Sequence, residues 1–242
     1  MKPAEQPPVT VVVPCYNEAN RLGRIFELIR QAQSRNWEWL FVDDGSSDST
    51  AQDIRDFAKT VSGVKLLSLE RNSGKGCAVR HGLAMGIGRL VGYVDADLAA
   101  DPLLFDRYSE DQTLLDGEEI LLGIRVKTHD GNVQRLLYRH LMGRAFQTYA
   151  SLATGLTVYD TQCGFKLMSR ERAAELASGM TCDGFAFDVE LLMLAKKAGL
   201  RLREEMIPWE EQGDSRVRFR HIIQMAFEIL RIRRALGPVR DS

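Results

Sequence analysis

Short runs of β-branched and aromatic residues alternate along the chain with segments whose apolar positions recur every three or four residues. Residues 9–13 read as a strand and 20–34 as a helix. The alternation repeats at 37–42 and 50–60, then at 64–69 and 75–88. Residues 90–94 read as a strand that runs straight into Asp95-Ala96-Asp97. Strands alternating with helices predict a mostly parallel sheet covered by helices on both faces. Such sheets bind ligands at the carboxyl ends of their strands. The polar clusters Asn17-Glu18, Asp43-Asp44-Gly45 and Asp95/Asp97 all fall there.

Beyond residue 117 the pattern loosens. Residues 119–123, 165–168 and 201–207 predict strands. Residues 125–132 read as a polar loop, and 188–198 as a helix. A helix is expected over 134–154, with Tyr138, Leu141, Met142, Ala145, Phe146, Tyr149 and Leu152 on one face. Over 219–234 the positions Phe219, Ile222, Ile223, Ala226, Phe227 and Leu230 form an apolar stripe on a last helix. No repeat or linker interrupts the pattern. A chain of 242 residues with 45% hydrophobic residues is expected to form one domain over 9–235, after a disordered segment at 1–8.

Charge adds little to this picture except at one end. The net charge of -1 gives no general attraction to nucleic acid. From 216 to 240 the chain carries Arg216, Arg218, Arg220, Arg231, Arg233, Arg234 and Arg240 against Glu228. The last helix could dock on its own domain, pair with a partner, or lie on an anionic membrane. No apolar run approaches the roughly 20 residues of a membrane span. The four cysteines lack metal or disulfide spacing, so free thiols in a cytoplasmic setting are expected. The expected location is cytoplasmic, with peripheral contact to the cytoplasmic membrane face through 219–234.

Two carboxylates at Asp95 and Asp97, leaving a buried strand, are costly unless neutralised. Mg2+ or Mn2+ with bound phosphates would do so; a solvated strand-end turn is the alternative. Asp43 and Asp44 could hold a nucleobase or ribose, or serve an ordinary turn before a helix. Arg71 to Gly76 resembles a phosphate loop, yet Leu69 and Gly76 break the P-loop pattern. Val91 likewise breaks a dinucleotide fingerprint that would start at Gly86.

Taken in order, Pro14-Cys15-Tyr16-Asn17-Glu18, Asp43-Asp44-Gly45-Ser46, Gly74-Lys75-Gly76 and Asp95-Ala96-Asp97-Leu98 resemble a family 2 glycosyltransferase. Asp160 to Lys166, Phe187 to Leu191 and Trp209-Glu210-Glu211 resemble its dolichyl-phosphate β-glucosyltransferase and polyprenyl-phosphate branch. The resemblance implies a single-domain GT-A (Rossmann-like) fold, with a nucleotide-sugar half at 9–117 and an acceptor half at 118–235. It implies an inverting enzyme that moves glucose from UDP-glucose to a polyprenyl or dolichyl phosphate. A soluble acceptor, or a non-catalytic nucleotide-sugar-binding protein, is the alternative.

The resemblance also implies roles. Pro14, Tyr16, Asn17, Glu18, Asp43, Asp44, Lys75, Asp95, Ala96, Gln162, Ser215 and Arg216 would surround the donor. Asp95 and Asp97 would hold Mg2+ or Mn2+. Arg125 and Arg139 would meet the acceptor phosphate. Asp188 and Glu190 would line the sugar end and, for an alcohol acceptor, supply a general base. One departure is Ala99-Ala100, where relatives often carry a polar residue that helps ligate the metal.

Overall fold

The computed structural model describes residues 6–127, 148–210 and 219–239. Seven strands form one sheet: β1 (Val9–Cys15), β2 (Glu38–Asp43), β3 (Val64–Ser68), β4 (Leu90–Val94), β5 (Glu119–Lys127), β6 (Phe165–Ser169) and β7 (Arg201–Trp209). Their order is β3-β2-β1-β4-β6-β5-β7. β6 runs antiparallel to its neighbours β4 and β5, and the remaining pairs are parallel. The helices are α1 (Leu22–Gln31), α2 (Thr50–Ala58), α3 (Lys75–Met85), α4 (Gln112–Leu115), α5 (148–154 in its described part), α6 (Arg170–Gly179), α7 (Phe187–Lys197) and α8 (Phe219–Leu236). This is the single-domain, mostly parallel α/β architecture expected from the alternation.

Both sheet faces are buried, which is why the central strands read as continuous apolar runs. Side chains alternate between two cores. Val12, Val42 and Tyr93 face α3, α6, α7 and α8. Val11, Val13, Phe41 and Val94 face α1, α2, Phe105 and Leu114. Glu38 is the charged exception at the start of β2. Its carboxylate accepts from Thr10 Oγ1 (2.6 Å) and Ile87 N (2.9 Å) and pairs with Lys65 (2.7 Å). That pins the turn between α3 and β4.

Several boundaries differ from the sequence pattern. β5 continues to Lys127, where a loop was expected from Arg125, because β7 pairs with it from Glu119↔Arg201 to Lys127↔Trp209. α6 was not foreseen. Its inward face is Ala173, Leu176 and Ala177, too weak an apolar signal to stand out, and Ser169 Oγ accepts from Arg172 N at its start. Of the segment 1–8, residues 6–8 are described and hydrogen-bonded. Pro7 and Pro8 carbonyls accept from Arg89 and Leu90, and Gln6 donates to the Ile87 carbonyl. On α5, Ala150 and Ala153 are buried while Leu152, expected on the apolar face, is exposed. The earlier positions of that face, 138–146, lie outside the described residues.

The expected stripe on α8 is not the face that docks: none of its described members is buried, with Phe227 68% and Ile223 46% exposed, and Met225, Ile229 and Ile232 enter the core instead. Phe227→Glu should therefore change stability by no more than about 0.5 kcal/mol, and Ile229→Ala should cost roughly 2–5 kcal/mol. Urea unfolding of the two variants checks this orientation.

Candidate functional site

The chain leaves β1 for β2 and β3 on one side, then returns to β4 on the other. The order reverses between β1 and β4, and the carboxyl ends there open a crevice. Asn17, Asp43, Asp44, Asp95 and Asp97 all follow these strands, and Lys75 opens α3.

The first two loops are tied to each other. Asn17 has φ 53°. Its Oδ1 accepts from Ser47 N (2.8 Å) and Asp48 N (3.4 Å), while its own N–H donates to Ser46 Oγ (2.9 Å). Glu18 N donates to Thr50 Oγ1 (2.8 Å). Pro14 and Ala96 are buried, and Tyr16 is exposed at the rim.

Asp43 and Asp44 are both buried, and their first partners are backbone groups. Asp43 Oδ1 accepts from Ser46 N (3.3 Å). Asp44 takes Ser73 N (2.7 Å) on one oxygen and Gly74 N (2.8 Å) on the other. Burial pushes the Asp44 carboxyl up, and the two backbone N–H groups oppose that. Asp44 thus fixes the loop from which Lys75 departs. Gly74 has φ 108°, and a Cβ there would meet the Asp183 carbonyl at 2.2 Å, so only glycine fits.

Lys75 reaches across to the acidic end of β4, where its Nζ lies 2.6 Å from Asp95 Oδ1. Burial works against its charge, but Asp95, Asp188 and Asp97 together outweigh it and hold the ammonium charged. Asp95 Oδ1 is buried, and even with Lys75 so close no well-directed hydrogen bond reaches it. Asp97 Oδ1 accepts from Ala99 N (3.0 Å). Burial, then the neighbouring Asp95, pushes the Asp97 carboxyl above the usual carboxylate range. An under-bonded oxygen beside a second strained carboxylate fits a hard divalent cation. Among the described residues no third His, Cys, Asp or Glu completes a metal-binding group. The other ligands would be substrate oxygens or water. Ala99 and Ala100 contribute no side-chain ligand, as their identities require.

Behind this pair lies a buried ion network that the sequence reading did not assign. Lys166 is fully buried in β6. Its Nζ donates to Asp188 Oδ1 (2.6 Å), Tyr93 Oη (3.0 Å), the Thr161 carbonyl (3.1 Å) and the Cys163 carbonyl (2.9 Å). Tyr93 Oη also donates to Asp188. The two carbonyl bonds hold the turn that carries Gly164 against Asp95, where a Cβ would lie 2.4 Å from Oδ2. A lysine inside the apolar run Phe165-Lys166-Leu167-Met168 was the available signal, since a buried charge requires a partner.

Three of the expected site residues have partners within the protein. Asp188 is committed to Lys166 and Tyr93. Glu190 is buried and accepts from Thr181 N (2.9 Å), Thr181 Oγ1 (2.7 Å) and Cys182 N (2.8 Å). A general base must reach a substrate proton, and both carboxylates are engaged by groups of the protein in this structure. Arg125 spends its fork on Asp160, with Nε to Oδ2 at 2.5 Å and Nη2 to Oδ1 at 2.9 Å, and stacks on Trp209. Gln162 is half-buried, with Nε2 3.9 Å from Met225 Sδ. Arg139, Ser215 and Arg216 lie outside the described residues. All four cysteines are buried. Burial pushes the Cys163 and Cys182 thiols up to about 12, so neither is a ready nucleophile.

The fold and the acidic crevice define a GT-A glycosyltransferase. The model of glycosyl transferase family 2 matches residues 10–176, and the chain belongs to that family. Similar curated proteins include a dolichyl-phosphate beta-glucosyltransferase of Trichomonas vaginalis, 32% identical over 96% of this chain and 74% of its own length. Another, of Dictyostelium discoideum, is 32% identical over 93% of this chain and 73% of its own length. Among solved structures, glucosyl-3-phosphoglycerate synthase from Mycobacterium tuberculosis bound to UDP superposes with a TM-score of 0.65. It is 21% identical and covers 99% of this chain and 83% of that one, which is a likeness of fold.

Two predictions follow from the charges. A carboxyl raised by folding favours its protonated form in the native state. Its stabilising share is full in acid and is lost as pH rises through the folded value. Asp97→Asn should therefore raise the melting temperature of the metal-free protein at neutral pH, with the gain shrinking in acid, while turnover is abolished. Thermal melts across pH beside an activity assay test both halves. In the network, Lys166→Met should cost about 3–5 kcal/mol because Asp188 is left buried and unpaired. Lys166→Met with Asp188→Asn should cost less than the single change, as read by urea unfolding.

Proposed function

We propose that this chain is an inverting hexosyltransferase that moves glucose from UDP-glucose to a polyprenyl or dolichyl phosphate. The observation that carries the reading is the cluster of Lys75, Asp95 and Asp97 at the crevice between β1 and β4, in a chain of this family. The acceptor and sugar are those in the names of relatives that match nearly all of the chain. The buried, hydrogen-bonded state of Asp188 and Glu190 favours the phosphate acceptor over an alcohol. A phosphate is already anionic and needs little base catalysis.

In this reading the 9–117 half binds the nucleotide sugar and the 118–235 half the acceptor. Asp95 and Asp97 hold Mg2+ or Mn2+, which supplies Lewis-acid stabilisation of the departing diphosphate. Lys75 adds a positive charge beside the same oxygens. Asn17 and Asp44 order the loops that border the nucleoside, and the acceptor attacks the anomeric carbon from the face opposite the diphosphate.

No helix among the described residues is long and apolar enough to cross a membrane. Peripheral contact with the cytoplasmic face would bring the enzyme to its lipid. The exposed Ile223 and Phe227, with exposed Arg231, Arg233 and Arg234 on the same helix, support that contact.

The test is a donor screen with purified protein and Mn2+ or Mg2+, with and without a short polyprenyl phosphate, measuring released nucleoside diphosphate. The expected result is UDP release from UDP-glucose that depends on both the lipid phosphate and the metal, and is lost in excess chelator. Equal release with an alcohol acceptor and none with the lipid phosphate would overturn the acceptor assignment.

A further inference from the structure

Lys75 occupies the place at Asp95 where a metal ion would compete with it. Its Nζ is 2.6 Å from Asp95 Oδ1, whereas Mg2+ binds a carboxylate oxygen at about 2.0–2.1 Å. Two cations so close to one oxygen repel each other strongly. One of the three partners must move, and the surroundings show which.

Asp95 is blocked on one side, because Gly164 is packed against its carboxylate and leaves no room for a Cβ. The backbone of Lys75 is also held. Asp44 holds Ser73 N and Gly74 N, and Gly76 N donates to the Asp183 carbonyl at 2.9 Å. What remains is the lysine side chain, a flexible four-carbon stem on a fixed base. It lies beside the ring of Phe187, 5.6 Å from the centroid, a contact that does not fix its direction.

We propose that Lys75 is an exchangeable counter-ion that makes divalent-cation binding and nucleoside-diphosphate binding depend on each other. Without ligands its ammonium neutralises Asp95. A cation entering at Asp95 and Asp97 displaces it, and the diphosphate oxygens supply its new partner. The cation alone must expel Lys75 into a position with no anion, so it binds weakly. The cation with a diphosphate meets no such cost. Linkage makes the effect reciprocal. The proposal rests on the assignment of Asp95 and Asp97 as cation ligands, and it adds a property that assignment does not require.

The experiment is calorimetric titration of Mn2+ into the wild type, Lys75→Met, Lys75→Gln and Lys75→Arg, each without nucleotide and with saturating UDP. Circular dichroism checks folding, and the two neutral variants guard against loss of either one. The wild type should bind Mn2+ weakly alone and tighter with UDP, within the roughly 5–150-fold range of coupled sites. The neutral variants should bind Mn2+ alone more tightly than the wild type, by about tenfold, and show a smaller gain from UDP. Lys75→Arg should keep the wild-type pattern. A folded neutral variant whose nucleotide-free Mn2+ affinity equals or falls below the wild type would overturn the proposal while leaving the transferase reading intact. Failure of the wild type to bind Mn2+ even with UDP would overturn both.

Discussion

Two carboxylates two residues apart at the end of a buried strand repel each other and resent desolvation, and much of the molecule is arranged around that constraint. Lys75 answers it from α3, across the crevice. The turn held by Lys166 answers it from behind, by fixing Gly164 against Asp95. Neither would work on a looser frame. β1 and β4 are neighbours because the strand order reverses between them, and that reversal brings the start of α3 and the end of β4 together.

The acids divide into two kinds. Asp95 is met by an exchangeable charge, as the partner of the Lys75 ammonium, and Asp97 is a carboxyl pushed up by burial and its neighbour. Asp43, Asp44, Asp188 and Glu190 have their demand met by backbone N–H groups, hydroxyls or Lys166. A binding site needs the first kind, and its rigidity needs the second. Holding charge in an unfavourable place is how a site stays ready for a cation and an anionic leaving group, at some expense in stability.

The Arg125–Asp160 pair shows the same division. The family resemblance implied that the Arg125 guanidinium, within β5, meets a phosphate. In the fold it is bidentate to a carboxylate and stacked on Trp209, so it braces the wall of the crevice. The C-terminal helix divides along its own length of surface. Met225, Ile229 and Ile232 belong to the core, and Ile223 and Phe227 remain outside it.

What the sequence determined by itself was local and periodic. The runs from Val9 to Val94 set strand after helix, and strand-end acids such as Asp95 and Asp97 fall at the ligand edge of any parallel sheet built that way. Family motifs added candidates for each role, and the match over residues 10–176 places the chain in that family. Tertiary structure decided whether each polar group faces a ligand or a partner within the protein. Asp188 and Lys166 are 22 residues apart in the chain and 2.6 Å apart in space. Glu190 turns toward a loop, and Asp44 toward the backbone of residues 73–74. Periodicity reports which side of an element is apolar. It carries no information on which distant charge will arrive opposite a buried one, because that pairing exists only after the sheet order has brought separate strands and helices together.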